Sequence, residues 1–306
     1  MVARTEQLAS PRILAGVPGS IEVLVYQDGA LVDPEAAPAP ACAVVNAHGE
    51  TVASGTATIA GGGTGKLRFD LTAAQNARPA LLTATWMFEV PTNEARTLTT
   101  RHESVGEHLF TVAQARATDN AVLASAVSYP DDALLRFRDL ILDAFTDVCG
   151  PTFGTRYGRA ILDGNGRDAI EIPGAAAVSA VRSVSERASG GTALTAYTAG
   201  ELADVLVYPA GLLVRETMGT FASGRRNVVV EYEHGVTPIP LEIREAALRL
   251  LRDQIVPSNL PDRATSQSNE FGAFSLATAG MRGAWFGIPR VDAVLDRYRR
   301  RLPGIA

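Results

Sequence analysis

The sequence is short of lysine, cysteine and long apolar runs. Of its 28 basic residues only Lys66 is a lysine, which we attribute to the codon bias of a GC-rich genome. Cys42 and Cys149 are too few for a disulfide framework and lack metal-ligand spacing, so we expect both to be buried as small apolar residues. There is no Asn-x-Ser/Thr acceptor, no apolar run of about 18 residues, and no apolar core of a signal peptide in MVARTEQLASPR. We therefore expect a soluble protein that is made in the cytoplasm.

What is present is a composition typical of a folded protein. The chain has 306 residues, of which 46% are hydrophobic and 20% charged, so it can bury a large core. At this length two domains are expected rather than one. The formal net charge of −5 argues against a dedicated nucleic-acid binder, because such binding needs clustered Lys and Arg over the contact face.

Residues 20–112 have a pattern that is typical of short strands. In the segment LLTATWMFEV, apolar side chains alternate at a period of two, as a half-buried strand requires. Turn signals such as Asp28-Gly29 and His48-Gly49 separate the segments. The predicted strands are SIEVLVYQ, ACAVVN, ETVASGTATI, GKLRFDL, LLTATWMFEV, RTLTTRHESV and HLFTV. The pattern predicts an immunoglobulin-like β-sandwich over residues 1–112.

The pattern changes after residue 112. Residues 113–127 are Ala-rich and predict a linker with a short helix. A helix is predicted over about 130–149, with Ser128 and Asp131 as a capping pair and Gly150 as its stop. Its apolar stripe consists of Leu134, Phe137, Ile141, Phe145 and Val148.

The remainder combines strands and two further helices. A β-rich insert is predicted over about 153–234, with a hairpin turn at residues 164–166, and helices over about 240–256 and 289–302. Between those helices an extended arm, about 258–288, carries aromatic residues that need a surface to cover them. The whole chain is therefore predicted to be an α+β multidomain protein. An ordinary loop packed on its own domain is the alternative for the arm.

No residue set predicts catalysis, a cofactor or a metal. The four histidines lie in or beside β-type segments. His102 and His108 bracket a predicted turn and could share a metal, but no third ligand has recognisable spacing, so exposed turn histidines explain them better. The run GGGTGK, ending at Lys66, lacks the Ser or Thr that a phosphate loop needs and predicts a hairpin turn. The calcium-like start at Asp163 lacks the later ligands. An enzyme is therefore not predicted.

Basic residues cluster at the end of the last predicted helix. Arg297, Arg299, Arg300 and Arg301 lie there, with Arg290 near its start. The helix dipole favours cations at this end, so a solvated helix terminus explains them. Binding of an acidic partner or of phosphate is the alternative.

Residues 128–302 resemble the head-to-tail connector proteins of long-tailed bacteriophages, also called adaptor or head-completion proteins. The resemblance rests on the order of short motifs rather than on any one of them. The motifs are Tyr129-Pro130, Cys149-Gly150, Phe153, Arg156, Val228, Val230, Tyr232, Gly235, Pro238, Pro240, Ile243, Ala246, Ala247, Leu250, Gly287-Ile288-Pro289, Val291-Asp292 and Leu295. The β-rich insert makes this chain larger than the simplest, mostly helical members of the family.

The resemblance implies a structural virion protein of the neck, assembled in the host cytoplasm. It implies a homo-oligomeric ring, commonly of twelve copies, that binds the portal protein at the head and tail-side neck proteins such as a stopper or tail terminator. Genomic DNA would pass through its lumen without sequence-specific binding, and no membrane, cofactor or metal is implied. The N-terminal domain is similar to immunoglobulin-like domains that phages attach to structural proteins.

These expectations give one candidate site and two competing functions. The candidate contacts to the portal or to a neighbouring subunit are Phe271, Phe274, Trp285, Phe286, Arg297, Arg299, Arg300 and Arg301. The first alternative is an immunoglobulin-like binding module on the virion surface that recognises host glycan, through Trp86 or Tyr26, or another virion protein. The second is a cell-wall hydrolase. The sequence offers none of the paired carboxylates, zinc ligands or Cys/His sets that such an enzyme would need.

Overall fold

The computed structural model describes residues 5–7, 12–91, 94–118, 120–188, 191–217, 219–256, 266–269, 272–275 and 285–299. The chain is β-rich, with a few helices. It divides into two compact units. One comprises residues 1–107 with 154–236, and the other, which we call the helical unit, comprises residues 108–153 with 237–306.

The N-terminal residues form two sheets. The first has the order β1-β3-β8-β7, with β4 paired to β3, and the second has the order β2-β10-β9-β5-β6. Neighbouring strands are antiparallel except β2 and β10, which are parallel. The strands are β1 (Thr5–Gln7), β2 (Arg12–Leu14), β3 (Gly19–Gln27), β4 (Ala30–Leu31), β5 (Ala41–Asn46), β6 (Thr51–Thr56), β7 (Thr58–Ile59), β8 (Lys66–Leu71), β9 (Ala80–Val90) and β10 (Glu94–Val105).

Both N-terminal sheets contribute to one apolar core. Val23 and Leu67 come from the first sheet, and Val44, Ala84 and Trp86 come from the second. Alternate residues of β9 are buried, as the period-two pattern predicts. Trp86 donates a hydrogen bond through Nε1 to Thr100 Oγ1 at 2.9 Å, which satisfies its polar atom inside the core.

The predicted strand HLFTV is not present. Leu109 and Phe110 are buried, but they precede helix α1 (Val112–Ala117). The side chain of Thr111 accepts from Gln114 N and the side chain of Gln114 accepts from Thr111 N, a capping box that outweighs the β-type composition.

Helix α2 (Asp131–Cys149) lies where a helix is predicted over about 130–149, but its predicted cap is wrong. Pro130 is the N-cap and makes no side-chain bond. Ser128 is hydrogen-bonded to Ser125 instead, and Asp131 pairs with Arg116. At the other end Gly150 has φ of +93°, a backbone conformation that residues with a side chain rarely adopt. A glycine at the predicted stop allows this conformation.

The β-rich insert also forms two sheets, and they share a second core that includes Leu162, Val184, Leu213 and Val230. The sheet orders are β11-β17-β13-β14 and β12-β16-β15. The elements are β11 (Arg156–Gly164), β12 (Ala169–Glu171), β13 (Val178–Glu186), β14 (Thr195–Ala196), α3 (Ala199–Ala203), β15 (Val205–Val207), β16 (Leu212–Arg215) and β17 (Gly224–His234). The predicted hairpin at residues 164–166 is wrong, since β11 pairs with β17 and the turn leads into the other sheet.

Two chain segments approach closely where the chain leaves and re-enters the β-rich unit. Gly106 N donates to Thr155 O at 2.8 Å, and a Cβ on Gly106 would lie 2.9 Å from Thr155 Cβ. The carboxylate of Glu103 accepts from Arg12 Nε at 3.1 Å and from two nitrogens of Arg156 at 2.6 Å each. This buried cluster joins β2, β10 and β11.

The helical unit is completed by α4 (Leu241–Ile255), β18 (Ser266–Asn269), β19 (Gly272–Ser275) and α5 (Pro289–Tyr298). Helices α2, α4 and α5 pack against one another in all three pairings. Their buried stripes include Leu134, Ile243, Ala247, Val291 and Leu295. Strands β18 and β19 form an antiparallel hairpin within the predicted arm.

The compact units divide the chain differently from the predicted domains. The predicted boundary at 112 lies near the end of residues 1–107, but the β-rich insert is grouped with the N-terminal residues rather than with the helices. The three-part domain prediction therefore stays a prediction. No helix in the described ranges is long and apolar enough to span a membrane.

Candidate interaction site

Helix α5 is fixed in the helical unit by contacts at its beginning and its end. The ring of Phe286, just before the helix, lies with its centroid 5.9 Å from that of the buried Phe145 on α2. The thiol of Cys149 donates to Leu295 O at 3.6 Å. Burial raises the pKa of this thiol to about 11, so it stays protonated and able to donate at neutral pH.

The turn before α5 is held by a buried carboxylate. Ile288 occupies the N-cap position without a side-chain bond. Asp292, 4% exposed, accepts from Phe286 N at 2.9 Å through Oδ1. Because this carboxylate lies in the first turn, it also compensates the positive end of the helix dipole.

Polar contacts also hold the end of α5. Tyr298 O–H donates to Glu242 Oε1 at the start of α4, and Arg297 Nη2 lies 2.6 Å from Glu242 Oε2. The hydrogen bond to Glu242 raises the pKa of Tyr298 above its ordinary value. The end of α5 thus contacts the beginning of α4, so the two helices are antiparallel.

A groove of about 430 Å³ runs along the outside of α4 and α5. Ala246, Ala293 and Val294 give it an apolar lining, and Arg249 and Arg290 lie at the end near the C-terminus of α4. A second groove of about 630 Å³, lined by residues that include Leu248, Arg249 and Arg252, adjoins it. Arg249 and Glu245 line both grooves, so the two form one surface on α4.

The structure describes five of the eight predicted contact residues, and they lie in different settings. Trp285 and Phe286 are half-buried within the helical unit, and the guanidinium of Arg299 lies 5.0 Å from the centroid of the Trp285 ring. Arg297 is exposed and paired with Glu242. The described residues include Phe274 only as part of strand β19 and exclude Phe271, Arg300 and Arg301.

Sequence reasoning missed two exposed features of the helical unit. Arg249 lies on the exposed side of α4, where Glu245, Arg249 and Arg252 recur every three or four residues. Leu140 on α2 is 52% exposed. Leu140 lies outside the predicted apolar stripe of that helix, and this position could have indicated from the sequence that its side chain is exposed.

The histidines give no metal or catalytic cluster. Among the described residues no group of three His, Cys, Asp or Glu side chains can hold a metal ion. The prediction that the histidines are exposed turn residues is wrong for His102, which is 3% exposed on β10 and hydrogen-bonded to Thr100 Oγ1 at 2.8 Å. Burial lowers the pKa of His102 to about 4, so it is neutral at pH 7.

The glycine-rich run is a turn between β7 and β8, as predicted. Its backbone amides are occupied by a carboxylate of the same chain, because Gly63 N and Gly65 N donate to Asp33 at 2.5 and 2.7 Å. These bonds lower the pKa of Asp33 below its ordinary value. The site that a phosphate would occupy is therefore taken by Asp33.

No family model and no curated protein matches the chain. Among solved structures, it is similar to a chain of the neck of an empty gene transfer agent (GTA) particle computed with C6 symmetry. The identity is 20% over 64% of this chain and 93% of that chain, with a TM-score of 0.41. The neck of the native GTA particle computed with C12 symmetry gives 19% identity over 57% of this chain and 86% of that chain, with a TM-score of 0.37.

CopC from Methylosinus trichosporium OB3b is also similar. It gives 11% identity over 31% of this chain and 83% of that chain, with a TM-score of 0.25. Neck chains of a gene transfer agent are thus among the structural neighbours. The TM-scores are low, so these likenesses carry no argument about what this chain does.

Proposed function

We propose that the protein is a non-enzymatic structural component of the neck of a phage-like virion. In this proposal, copies of the chain form a ring at the portal vertex that joins the DNA-filled head to the tail. The ring binds the portal protein on one side and tail-side neck proteins on the other. DNA passes through its lumen.

The observation that carries the proposal is the convergence of the connector-like motifs of three helices on one helical unit. The motifs of its three long helices are far apart in sequence, yet Phe145 meets Phe286 and Cys149 meets Leu295 in one core. Ile243 and Ala247 of α4 are fully buried in the same unit. The helical motifs of the resemblance therefore contribute to one common core.

The charge of the chain supports passage of DNA rather than its capture. The net charge is −5, and basic side chains such as Arg297 are engaged by acidic partners of the same unit. A surface of this balance repels the phosphate backbone at short range, within the Debye length of about 8 Å. A lumen lined by such a surface lets DNA slide without sequence-specific binding.

For the N-terminal region we propose an immunoglobulin-like β-sandwich outside the ring, as a lateral contact or decoration. Its support is a pair of sheets around one apolar core. The alternative of a glycan-binding module loses one of its two stacking platforms, because Trp86 is 0% exposed. Tyr26 is half-buried and is the platform that remains.

The experiment that tests the neck function is mass determination of the purified protein, alone and mixed with the portal ring of the same genome. Native mass spectrometry or particle imaging is expected to find a complex with about twelve copies, the number that the resemblance implies for a closed ring. A folded protein that fails to bind a folded portal would contradict the proposal and favour the binding module.

The contact residues predicted from the sequence form a narrower proposal within this function. We propose that Arg297, Arg299, Arg300 and Arg301, with the exposed parts of Trp285 and Phe286 and with Phe271 and Phe274 of the arm, bind the portal or a neighbouring subunit. Truncation after Pro257 is a poor test, because it also removes the buried Val291 and Leu295. Substituting the four arginines by glutamine leaves this core intact.

This arginine variant is expected to lose most portal binding. Its matched control replaces Arg225 and Arg226, which are exposed on β17, by glutamine, and is expected to bind as the wild type does. Unchanged portal binding by the arginine variant would remove these residues from the contact.

A further inference from the structure

One face of helix α2 is exposed although the helix is part of the core. Leu140, 52% exposed, lies on the side opposite the buried Ile141 and Phe145. Asp143 and Asp147 are exposed beside it, three and seven residues later. Arg136, also exposed, lies four residues before it. At 3.6 residues per turn these positions share one face, which we call the α2 face.

The groove on α4 and α5 has the opposite arrangement of charge. Near the beginning of α4 it contains Glu242 and Glu245, and towards the end of α4 it contains Arg249 and Arg290. Among the described residues, neither Arg249 nor Arg290 makes a side-chain ion pair or hydrogen bond. The apolar lining between these ends is made of small side chains such as Ala246 and Ala293, which leave room for a larger one.

We propose that the α2 face binds the α4–α5 groove of a second copy of this chain. With α2 of one copy parallel to α4 of the other, Leu140 lies on the apolar lining. Asp143 and Asp147 then face Arg249 and Arg290, and Arg136 faces Glu242. Arg136 and Asp143 are seven residues apart, about 10 Å along a helix, which matches the spacing from Glu242 to Arg249.

This contact is heterologous, which determines what it builds. The α2 face and the groove use different residues, because the lining residues of the groove come from α4 and α5. A contact between two different surfaces leaves one of each free on every dimer, so addition continues until a ring closes. The inference therefore rests on the proposed ring and names the surfaces that form it.

The test exchanges charge on the two surfaces separately. The first variant carries Asp143→Arg and Asp147→Arg, and the second carries Arg249→Asp and Arg290→Asp. Like charges then face each other in every homotypic contact, and each variant alone is expected to self-associate about 10- to 100-fold more weakly than the wild type. In a 1:1 mixture every contact has opposite charges again, so association is expected to return with the two variants alternating.

The measurement is sedimentation velocity or native mass spectrometry of the full chain up to about 1 mM, since a contact centred on one helix is at the small end of stable interfaces. The control Arg225→Asp, exposed on β17 outside both surfaces, is expected to behave as the wild type. Recovery in the mixture also shows that both variants are folded.

Three results would overturn the inference: a wild type monomeric at all concentrations, charge variants that associate normally, or a mixture that stays dissociated. The neck function is tested apart from this, because portal binding is measured with the same variants. Portal rings that form normally with both charge variants would reject this interface and leave the neck function standing. Loss of portal binding by the wild type would reject the neck function instead.

Discussion

The N-terminal β region and the helical unit use their charged groups differently. In the β region, Glu103 is 7% exposed and is held by Arg12 and Arg156, and Asp33 accepts from the amides of a turn. In the helical unit, Arg249 and Arg290 are exposed beside a groove and form no ion pair with any described residue. The first arrangement uses charge inside the fold, and the second presents charge to solvent.

The difference separates residues that stabilise the fold from residues available to a partner. A charge that is buried and paired cannot be removed without leaving its partner unsatisfied, so its loss is measured as stability. An exposed charge contributes little to stability, so its loss is measured in binding. Substitutions in the two regions should therefore change different observables.

The largest effect is expected from Trp86→Ala in the β region. The side chain is fully buried, so its removal should lower the free energy of unfolding by about 4 kcal/mol, measured by urea denaturation. Met87→Ala, on the same strand with a 45% exposed side chain, should cost less than about 0.5 kcal/mol. Equal effects of the two substitutions would contradict the placement of this core.

The second prediction removes the carboxylate between two arginines. Glu103→Ala removes the buried carboxylate that both Arg12 and Arg156 contact, so we expect a loss of about 3 kcal/mol in the free energy of unfolding. Glu94→Ala is the control, because Glu94 pairs with Arg96 at the surface of the same strand and should cost less than about 1 kcal/mol. A stable Glu103→Ala protein would show that the buried cluster is dispensable.

The third prediction tests whether burial or location decides the outcome. Arg116 belongs to the helical unit, yet it donates to Leu123 O, Ala124 O and Tyr129 O at 2.9 to 3.1 Å and pairs with Asp131. Arg116→Ala should therefore cost about 2 kcal/mol in the free energy of unfolding.

The control for Arg116 is Arg249→Ala in the same unit. This substitution should leave stability within about 0.5 kcal/mol of the wild type and weaken self-association. If both substitutions changed stability alike, the distinction between paired and presented charge would fail inside the helical unit.

How far the sequence could predict this structure follows from how local each signal is. Strand β9 and the stop of α2 at Gly150 could be predicted, because alternation and a left-handed glycine are properties of a few adjacent residues. The burial of Cys42 and Cys149 could also be predicted, because two cysteines without metal-ligand spacing are expected to be small buried residues. The hairpin predicted at residues 164–166 was wrong because strand pairing is decided by the whole sheet, in which β11 pairs with a strand about 60 residues away.

The candidate site was only partly predictable for the same reason. The aromatic and basic residue types near α5 identified the region, but whether Phe286 is covered depends on Phe145, more than 100 residues earlier. The burial of His102 depends on sheet packing, and its polar side chain gave no sign of it. Leu140 and Arg249 can be identified only once the buried sides of the helices are known, because the exposure of a side chain depends on which other elements pack against it.

The last prediction uses the pH dependence of the β region. The pKa of His102 is lowered by burial to about 4, whereas an unfolded chain takes up this proton near pH 6.5. Between these values the unfolded state binds more protons, so the free energy of unfolding should fall as pH drops from 6.5 to 4, by about 1.4 kcal/mol per pH unit from this group. Stability from this group is fully present above pH 6.5.

His102→Gln isolates that contribution, because the carboxylates that titrate in the same range are the same in both proteins. The glutamine has no proton to take up, so the difference in the free energy of unfolding between variant and wild type should change with pH only between about 4 and 6.5. A difference that is constant with pH would mean that His102 is hydrated in the folded state. Water would then reach the buried His102 ring, and the contrast with the helical unit would be weaker.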